Sequence, residues 1–436
     1  MKPAILAFCM MLAPAALMAQ APAVGKSVQP ALAELPIPQA PSTATARGIT
    51  LDEAYRLALA QSETLAQSAE GIKVLEATER QIRSLFLPSL TGVASETSAE
   101  RSTDKGQAGV NLSYSLFNGM RDYITARSSG LKTGSARLAL ARAKQSLYLN
   151  VAQAYLNLSN VRQEIEVRQN QLAVTSNRLK ELQQRESIGR TSKTDVLAAK
   201  TQLAQDDSSL QDAKGREDFA QVQLGFLTGL DVDLAPELLP VPQHLPRAAY
   251  MLKAQKRFDV EAARKTLEAA RLDTDAAKHL RWPSVNLGAD YLPRRSAPDQ
   301  NINWDAGLSF SLPLFTGGFI GASIDQAKAQ ARSAELALAL TARQAVSDVR
   351  GAYSVLHHSV ATLNSLTNAA ALAEDNFKLQ SKDYTHSLVT NLDVLNAQNT
   401  LLQIKLSLEQ ARAQTCLAGV QLEVAAGGPD AVVEDK

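Results

Sequence analysis

The chain has 436 residues, with 45 Lys and Arg against 44 Asp and Glu, a flat balance that excludes a basic nucleic-acid binder and an acidic disordered tail. Apolar residues make up 45%, enough for a sizeable core, but aromatics are only 5%, low for one large globule. With two cysteines, five scattered histidines (His244, His279, His357, His358, His386) and no HExxH, CxxC, GxGxxG, P-loop or GxSxG pattern, the sequence argues against a disulfide framework, a metal site, a cofactor and an enzyme.

The first elements concern export. Lys2 is a charged start, residues 4–18 are an apolar run broken by Pro14, and small residues follow, with possible cleavage after Ala19, Ala21 or Ala23. A signal peptide is expected over residues 1–21, because about 15 apolar residues fall short of the ~20 that span a bilayer. Cys9 would leave with it, so Cys416 would remain as a lone thiol on the seam of the last helix, expected to be structural. Residues 22–48 carry Pro22, Pro30, Pro36, Pro38 and Pro41 and read as an extended periplasmic arm, and the tail 427–436 reads as unstructured. No other apolar run is long enough to span, so any entry into a membrane is not by helices.

The rest is a duplication. At one constant offset Leu116, Phe117 and Gly119 meet Leu314, Phe315 and Gly317. At the same offset Val151, Ala154 and Tyr155 meet Val349, Ala352 and Tyr353, and Asp195-Val196-Leu197 meets Asp393-Val394-Leu395. The period is far longer than that of a solenoid. The first copy, 49–230, is expected to hold helices, a strand hairpin at 87–116, a long helix at 120–187 and a return helix at 191–228. A proline-bearing linker follows at 231–247 (Pro236, Pro240, Pro242, Pro246). The second copy, 248–426, repeats the order with a hairpin at 283–312, a long helix at 319–386 and a return helix at 389–426. Inside the helices the apolar steps are three, four or seven: Leu147, Val151, Ala154, Leu158, Val161 and Ile165, and again Ala345, Val349, Ala352, Leu356 and Leu363. Small knobs of this kind suit close antiparallel coiled coils. Each long helix would reach about 100 Å, beyond any ordinary bundle.

The hairpins alternate with period two. Ile302, Trp304, Ala306, Leu308, Phe310 and Leu312 oppose Asn303, Asp305, Ser309 and Ser311, and Val110, Leu112, Tyr114 and Leu116 oppose Asn111, Ser113 and Ser115. Val285, Leu287, Ala289 and Tyr291 oppose Asn286, Gly288 and Asp290. Strands of about ten residues suit an outer-membrane barrel. A soluble sheet with one wet face shows the same alternation, and it is the export signal and the lack of other core elements that favour the membrane. On that reading Asn303, Asp305, Ser309, Ser311, Asn111 and Ser113 line the lumen. Pro88 and Pro283 end a helix and open a strand, while Gly119, Gly317 and Gly318 free the backbone where strand becomes helix. Four strands cannot close against lipid, so the chain must oligomerise; roughly two, three or four copies would give eight, twelve or sixteen strands.

These features together resemble the TolC-like outer-membrane channel family over nearly all of the mature chain. The resemblance rests on Ser115-Leu116-Phe117-Asn118-Gly119 and Ser311-Leu312-Pro313-Leu314-Phe315-Thr316-Gly317-Gly318. It rests also on the turns from Ile188-Gly189 to Thr194-Asp195-Val196-Leu197 and at Leu392-Asp393-Val394-Leu395, and on Ala418-Gly419-Val420-Gln421-Leu422. It implies a mixed α/β membrane protein, a homotrimer sharing one barrel in outer-membrane lipid above a tube of helices in the periplasm. It also implies a periplasmic adaptor and an RND-type or ABC-type inner-membrane transporter as partners, in a tripartite efflux pump or a type I secretion system. The tip residues Gly189, Arg190, Thr191, Leu388, Val389 and Thr390 would dock the adaptor. The resemblance places Asp393 at the constriction, where it would attract cations. Asn396 stands where a second acid is often found, and Val389 where a basic residue can tie the closed state. Asp195 is expected to accept a hydrogen bond from Tyr384. The alternative is that Asp195 and Asp393 simply sit at helix N-termini, favoured by the dipole. Two other classes compete with a conduit: a periplasmic coiled-coil adaptor, which would carry one hairpin, not two copies, and a structural envelope spacer, which would need no polar lumen.

Overall fold

Neither 89–235 nor 314–428 contains a proline, so nothing interrupts an i to i−4 ladder there. The computed structural model describes residues 47–97, 105–230, 234–237, 239–240, 246–294 and 302–428, and it fills each window with one helix of 67 residues and one of 36. The expected signal peptide and nearly all of the expected arm lie outside the described residues.

In chain order the elements are β1 (Arg47–Ile49), α1 (Leu51–Gln61), α2 (Glu63–Ser84), β2 (Ser89–Thr97), β3 (Lys105–Asn118), α3 (Arg121–Ser187) and α4 (Lys193–Thr228). The second copy contributes β4 (Leu234–Pro236), α5 (Arg247–Ala254), α6 (Phe258–Lys278), β5 (Ser284–Arg294), β6 (Trp304–Ser311), α7 (Phe319–Thr385) and α8 (Asn391–Ala426). At about 1.5 Å per residue α3 and α7 are each about 100 Å long. Among the described residues no helix is long and apolar enough to cross a membrane.

The two halves meet in one antiparallel sheet of order β2-β3-β5-β6. Its register sorts side chains into two faces. Thr91, Asn111, Asp290 and Asp305 form one polar row, and Ser115, Asn286 and Ser309 another. The opposite face carries the rows Leu90–Leu112–Ala289–Ala306 and Gly92–Val110–Tyr291–Trp304, with Tyr114–Leu287–Leu308 beside them. One expectation is corrected here. Simple alternation assigns Leu116 to the apolar face, but a bulge between Ser115 and Phe117 inserts an extra residue. Phe117, not Leu116, then stands in the row with Val285 and Phe310. A second irregularity needs glycine: a Cβ on Gly109 would fall 2.1 Å from the Tyr291 carbonyl oxygen.

Below the sheet α3 packs on α2, α6, α4 and α8, and α7 packs on α6 and α8. The coiled-coil portion is therefore a row, α4-α3-α8-α7, with α4 and α7 at its free edges. The seams fill as apolar periodicity requires: Val151, Ala154, Leu158, Val161 and Ile165 are buried along α3, and Ala345, Val349, Leu356 and Leu363 along α7. At mid-height the linker is pinned. β1 runs parallel to β4, and the fully buried Tyr155 directs its hydroxyl to the carbonyl oxygens of Ile49 (2.9 Å) and Glu237 (3.0 Å). The end of the arm at 47–49 and the linker residues 234–237 are thus held against each other, where the sequence suggested only an extended arm and a linker. Cys416 is buried in this same cluster beside Val420 and Val424.

Candidate functional site

The end of the helical row farthest from the sheet carries two turns of similar build. Each return helix opens with a short hydroxyl residue whose side chain accepts a hydrogen bond from the backbone three residues on. Ser192 Oγ accepts from the Asp195 N–H at 3.1 Å, and Thr390 Oγ1 from the Asp393 N–H at 3.3 Å. The carboxylates reach back. Asp195 accepts from the hydroxyls of Ser192 (2.8 Å) and Thr191 (3.0 Å), and Asp393 from Thr390 Oγ1 (2.6 Å) and the Thr390 N–H (2.8 Å). These are complete capping boxes. The donations from Thr390 hold the Asp393 carboxyl below the ordinary range. For Asp195 partial burial pushes upward, but the donors Ser192, Thr191 and Asn391 outweigh it and the net shift is down.

The expected bond from Tyr384 to Asp195 is replaced by a different arrangement. The Asp195 oxygens are taken up by Ser192 and Thr191 of its own turn and by Asn391 of the other, and Tyr384 is buried in an apolar cluster with Leu182, Val196, Ala199 and Val394, Val389 packing against it. The guanidinium of Arg178 lies 3.9 Å from the Tyr384 ring centroid and that of Arg185 lies 4.9 Å away. Arg178 also donates to Asn391 Oδ1 from Nε (3.3 Å) and Nη2 (3.2 Å), and pairs with Glu181 at 3.0 Å. Asn396 and Asp393 are exposed on α8, while Gly189, Arg190 and Leu388 are exposed on the two turns. Gly189 (φ 70) and Ser387 (φ 61) take the left-handed turn that reverses each hairpin.

Just above the tip lies a buried polar layer that the periodicity did not reveal. Thr175 Oγ1 donates to Asp206 Oδ2 (2.6 Å), Gln398 Nε2 donates to Thr175 Oγ1 (2.8 Å), and Gln202 Nε2 donates to Asp206 Oδ1 (2.8 Å). It joins α3, α4 and α8. The signal available in the sequence was a run of polar residues (Gln171, Thr175, Arg178) where an apolar seam would otherwise continue.

At the other end the expected lumen residues share one face: Asn111 pairs with Asp290 and donates to its carboxylate at 2.7 Å, Asp290 pairs with Asp305, and Ser113 and Ser309 lie in neighbouring rows. At the junctions Gly119 (φ 58) and Gly317 and Gly318 (φ 60 and 87) carry the strand-to-helix reversal. An added Cβ on Gly119 would approach the Trp282 Cβ to 2.7 Å, so that glycine is also required for packing. Pro88 and Pro283 stand immediately before β2 and β5. Among the described residues no cluster of side chains could hold a metal.

A two-faced sheet joined to ~100 Å helices ending in paired turns defines a protomer of an outer-membrane conduit, with its sheet in that membrane and its helices in the periplasm. The chain belongs to the outer membrane efflux protein family, whose model matches residues 54–230 and 250–428, one match for each copy. It is a transport duct and not an enzyme. It is 25% identical over 395 residues to the outer membrane efflux protein BepC of Brucella suis biovar 1 (strain 1330), covering 87% of this chain and 85% of that protein. With the outer membrane protein TolC of Escherichia coli (strain K12) it shares 26% over 309 residues, 65% of this chain and 62% of that one. Its fold matches the crystal structure of the outer membrane protein VceC from Vibrio cholerae with a TM-score of 0.78 at 22% identity, over 87% of this chain and 96% of that one.

Proposed function

We propose that three copies form the exit duct of a tripartite efflux pump or a type I secretion system. The observation that carries this reading is the pair of unfilled edges. Among the described residues β2 and β6 each lack a neighbour on one side, and lipid does not tolerate such edges. A head-to-tail contact that closes satisfies both at once, and about three copies give a twelve-strand barrel wide enough for a pore. In this arrangement Asn111, Ser113, Asn303, Asp305, Ser309 and Ser311 line the lumen and the Tyr291–Trp304 face meets lipid. The tip turns dock a periplasmic adaptor that hands over cargo from an RND-type or ABC-type transporter, and Asp393 forms the ring at the mouth. The capping box does not remove that role: the carboxylate stays ionised and exposed. The test is cross-linking in native membranes followed by planar-bilayer recording. Trimers that conduct ions are expected; only monomers and dimers, or no conductance, would reject the reading.

A further inference from the structure

At mid-height, where the two halves of the chain meet, α3 and α8 do not pack flush. Leu156, Ser159, Asn160 and Gln163 on α3 and Glu409, Arg412, Ala413 and Cys416 on α8 line a cavity of about 310 Å³ between them. Both stripes step by three and one, so each is one face of its helix. Leu239 and Pro240 of the linker form a third wall, held there by the Cys416 thiol, which donates to their carbonyl oxygens at 3.6 and 3.8 Å. The floor is apolar, made by Leu156, Ala413, Leu239 and the buried Cys416. The α3 edge is polar and unsatisfied. Ser159 is 8% exposed, yet among the described residues its hydroxyl has no hydrogen-bond partner, and the same holds for the side-chain amides of Asn160 and Gln163. Buried hydroxyls elsewhere in these helices return their proton to the carbonyl four residues back, as Thr133 and Thr415 do, but Ser159 does not. The only charges in the lining, Glu409 and Arg412, pair with each other at 2.7 Å.

We infer that this cavity is a binding site for a small uncharged molecule with an apolar body of one or two rings and an amide or hydroxyl group along one edge. Unpaired buried polar groups are exceptions that call for a partner. Water serves the polar edge alone, while the apolar floor calls for an apolar body. The volume stands at the low end of the ~300–1,000 Å³ range of small-molecule sites, and an apolar cavity of ~150 Å³ already takes benzene. The body of the ligand rests on Leu156, Ala413 and Cys416, and its polar group meets Ser159, Asn160 and Gln163. An ionised ligand is disfavoured, because it would shed water beside two charges that already satisfy each other. Arg412 and Pro240 are exposed, so the cavity opens to solvent between them. All of its walls come from one copy of the chain. The site therefore stands independently of how copies assemble, and its occupant bridges the first repeat, the linker and the second.

The experiment is titration of the purified full chain in detergent with naphthalene carboxamide, read by saturation-transfer NMR against a protein-free blank, with thermal unfolding measured alongside. Saturable binding is expected, and with it a rise in melting temperature. Ala413→Trp fills the cavity and should abolish binding. Ser159→Ala removes one hydroxyl from the polar edge and should weaken binding several-fold while leaving the fold intact. Naphthalene carboxylate, an anion of the same shape, should bind roughly tenfold more weakly. No saturable binding to the parent protein, binding that survives Ala413→Trp, or equal binding of the amide and the carboxylate overturns the proposal. If Ala413→Trp does not fold, Ser159→Ala and the carboxylate decide it alone, and undiminished affinity in either overturns it. A parent protein that binds the amide but does not conduct would instead reject the channel reading and leave this site standing.

Discussion

Asp393 caps a helix and, on the proposed reading, also forms the ring at the mouth of the duct. It closes a capping box with Thr390 while remaining exposed at the tip. Because its folded pKa is depressed, its stabilising effect is fully present above the ordinary carboxylate range, about pH 4, and is lost as pH falls through the lower folded value. Acidification below about pH 4 should therefore loosen the α8 start in the parent protein, and Asp393→Asn should remove that part of the pH dependence. Asp393→Asn should also reduce cation selectivity and block by trivalent cations; unchanged selectivity would mean that the carboxylate caps a helix and nothing more. Thr390→Ala removes the reciprocal bond and should cost about 1 kcal/mol in thermal unfolding. A different residue answers to burial alone. Cys416 is buried against α3 and the linker, and burial pushes its thiol pKa up, so little thiolate is available. Reaction of the folded protein with a bulky maleimide should be slow and should become fast on unfolding; rapid labelling of the folded form would contradict the packing.

At the scale of elements, legibility followed the reach of each interaction. The sheet was readable because its two faces meet different surroundings, and a period of two records that residue by residue: Trp304, Leu308 and Phe310 against Asp305, Ser309 and Ser311. The long helices were readable because proline is absent and the apolar seam is continuous. The bulge at Leu116 was not, since one added residue leaves the composition of the strand unchanged. The pairing of β1 with β4 was not either: three residues per strand carry no alternation, and the pairing depends on Tyr155, remote in sequence. Arg178 escaped notice for the same reason. It looks like a solvated helix position until α3 is set beside residues 384 and 391. The sheet's two faces yield a direct comparison. Leu308→Arg places a charge on the face assigned to lipid and should cost ~2–4 kcal/mol near mid-membrane, whereas Ser309→Arg on the opposite face should cost little. Recovery of assembled, heat-resistant oligomer from membranes measures this, and equal losses would show that the faces are exchanged.

For the whole molecule, the proposed assembly must cover the free edges of the helical row together with those of the sheet. The α4 edge exposes Leu197, Phe219, Val222 and Phe226, the last at 81%, and α7 exposes Leu336, Leu340, Val355, Leu372 and Leu379. Isolated exposed leucines need no explanation, but two rows of large apolar side chains on opposite edges of one layer do. The helices also run in opposite directions, α4 away from the tip and α7 towards it, so a head-to-tail contact brings α4 of one copy antiparallel to α7 of the next. Height then fixes the pairing. Counting from the tip ends of the helices at 1.5 Å per residue, Phe226 stands about 50 Å up α4 and Val355 about 45 Å up α7, within about one helical turn of each other. Both heights lie within the buried middle section where Tyr155 and Val349 fill the core. Cysteines placed at Phe226 and Val355 together should therefore form disulfides between copies, giving a covalent ladder that ends at the trimer band on oxidation in membranes. Either cysteine alone should give none. A pair offset along the axis, Phe226→Cys with Leu372→Cys, separates about 50 Å from about 20 Å and should not cross-link. Ladders from the offset pair, or bands that continue beyond three, would show that the edges meet in another register or do not close.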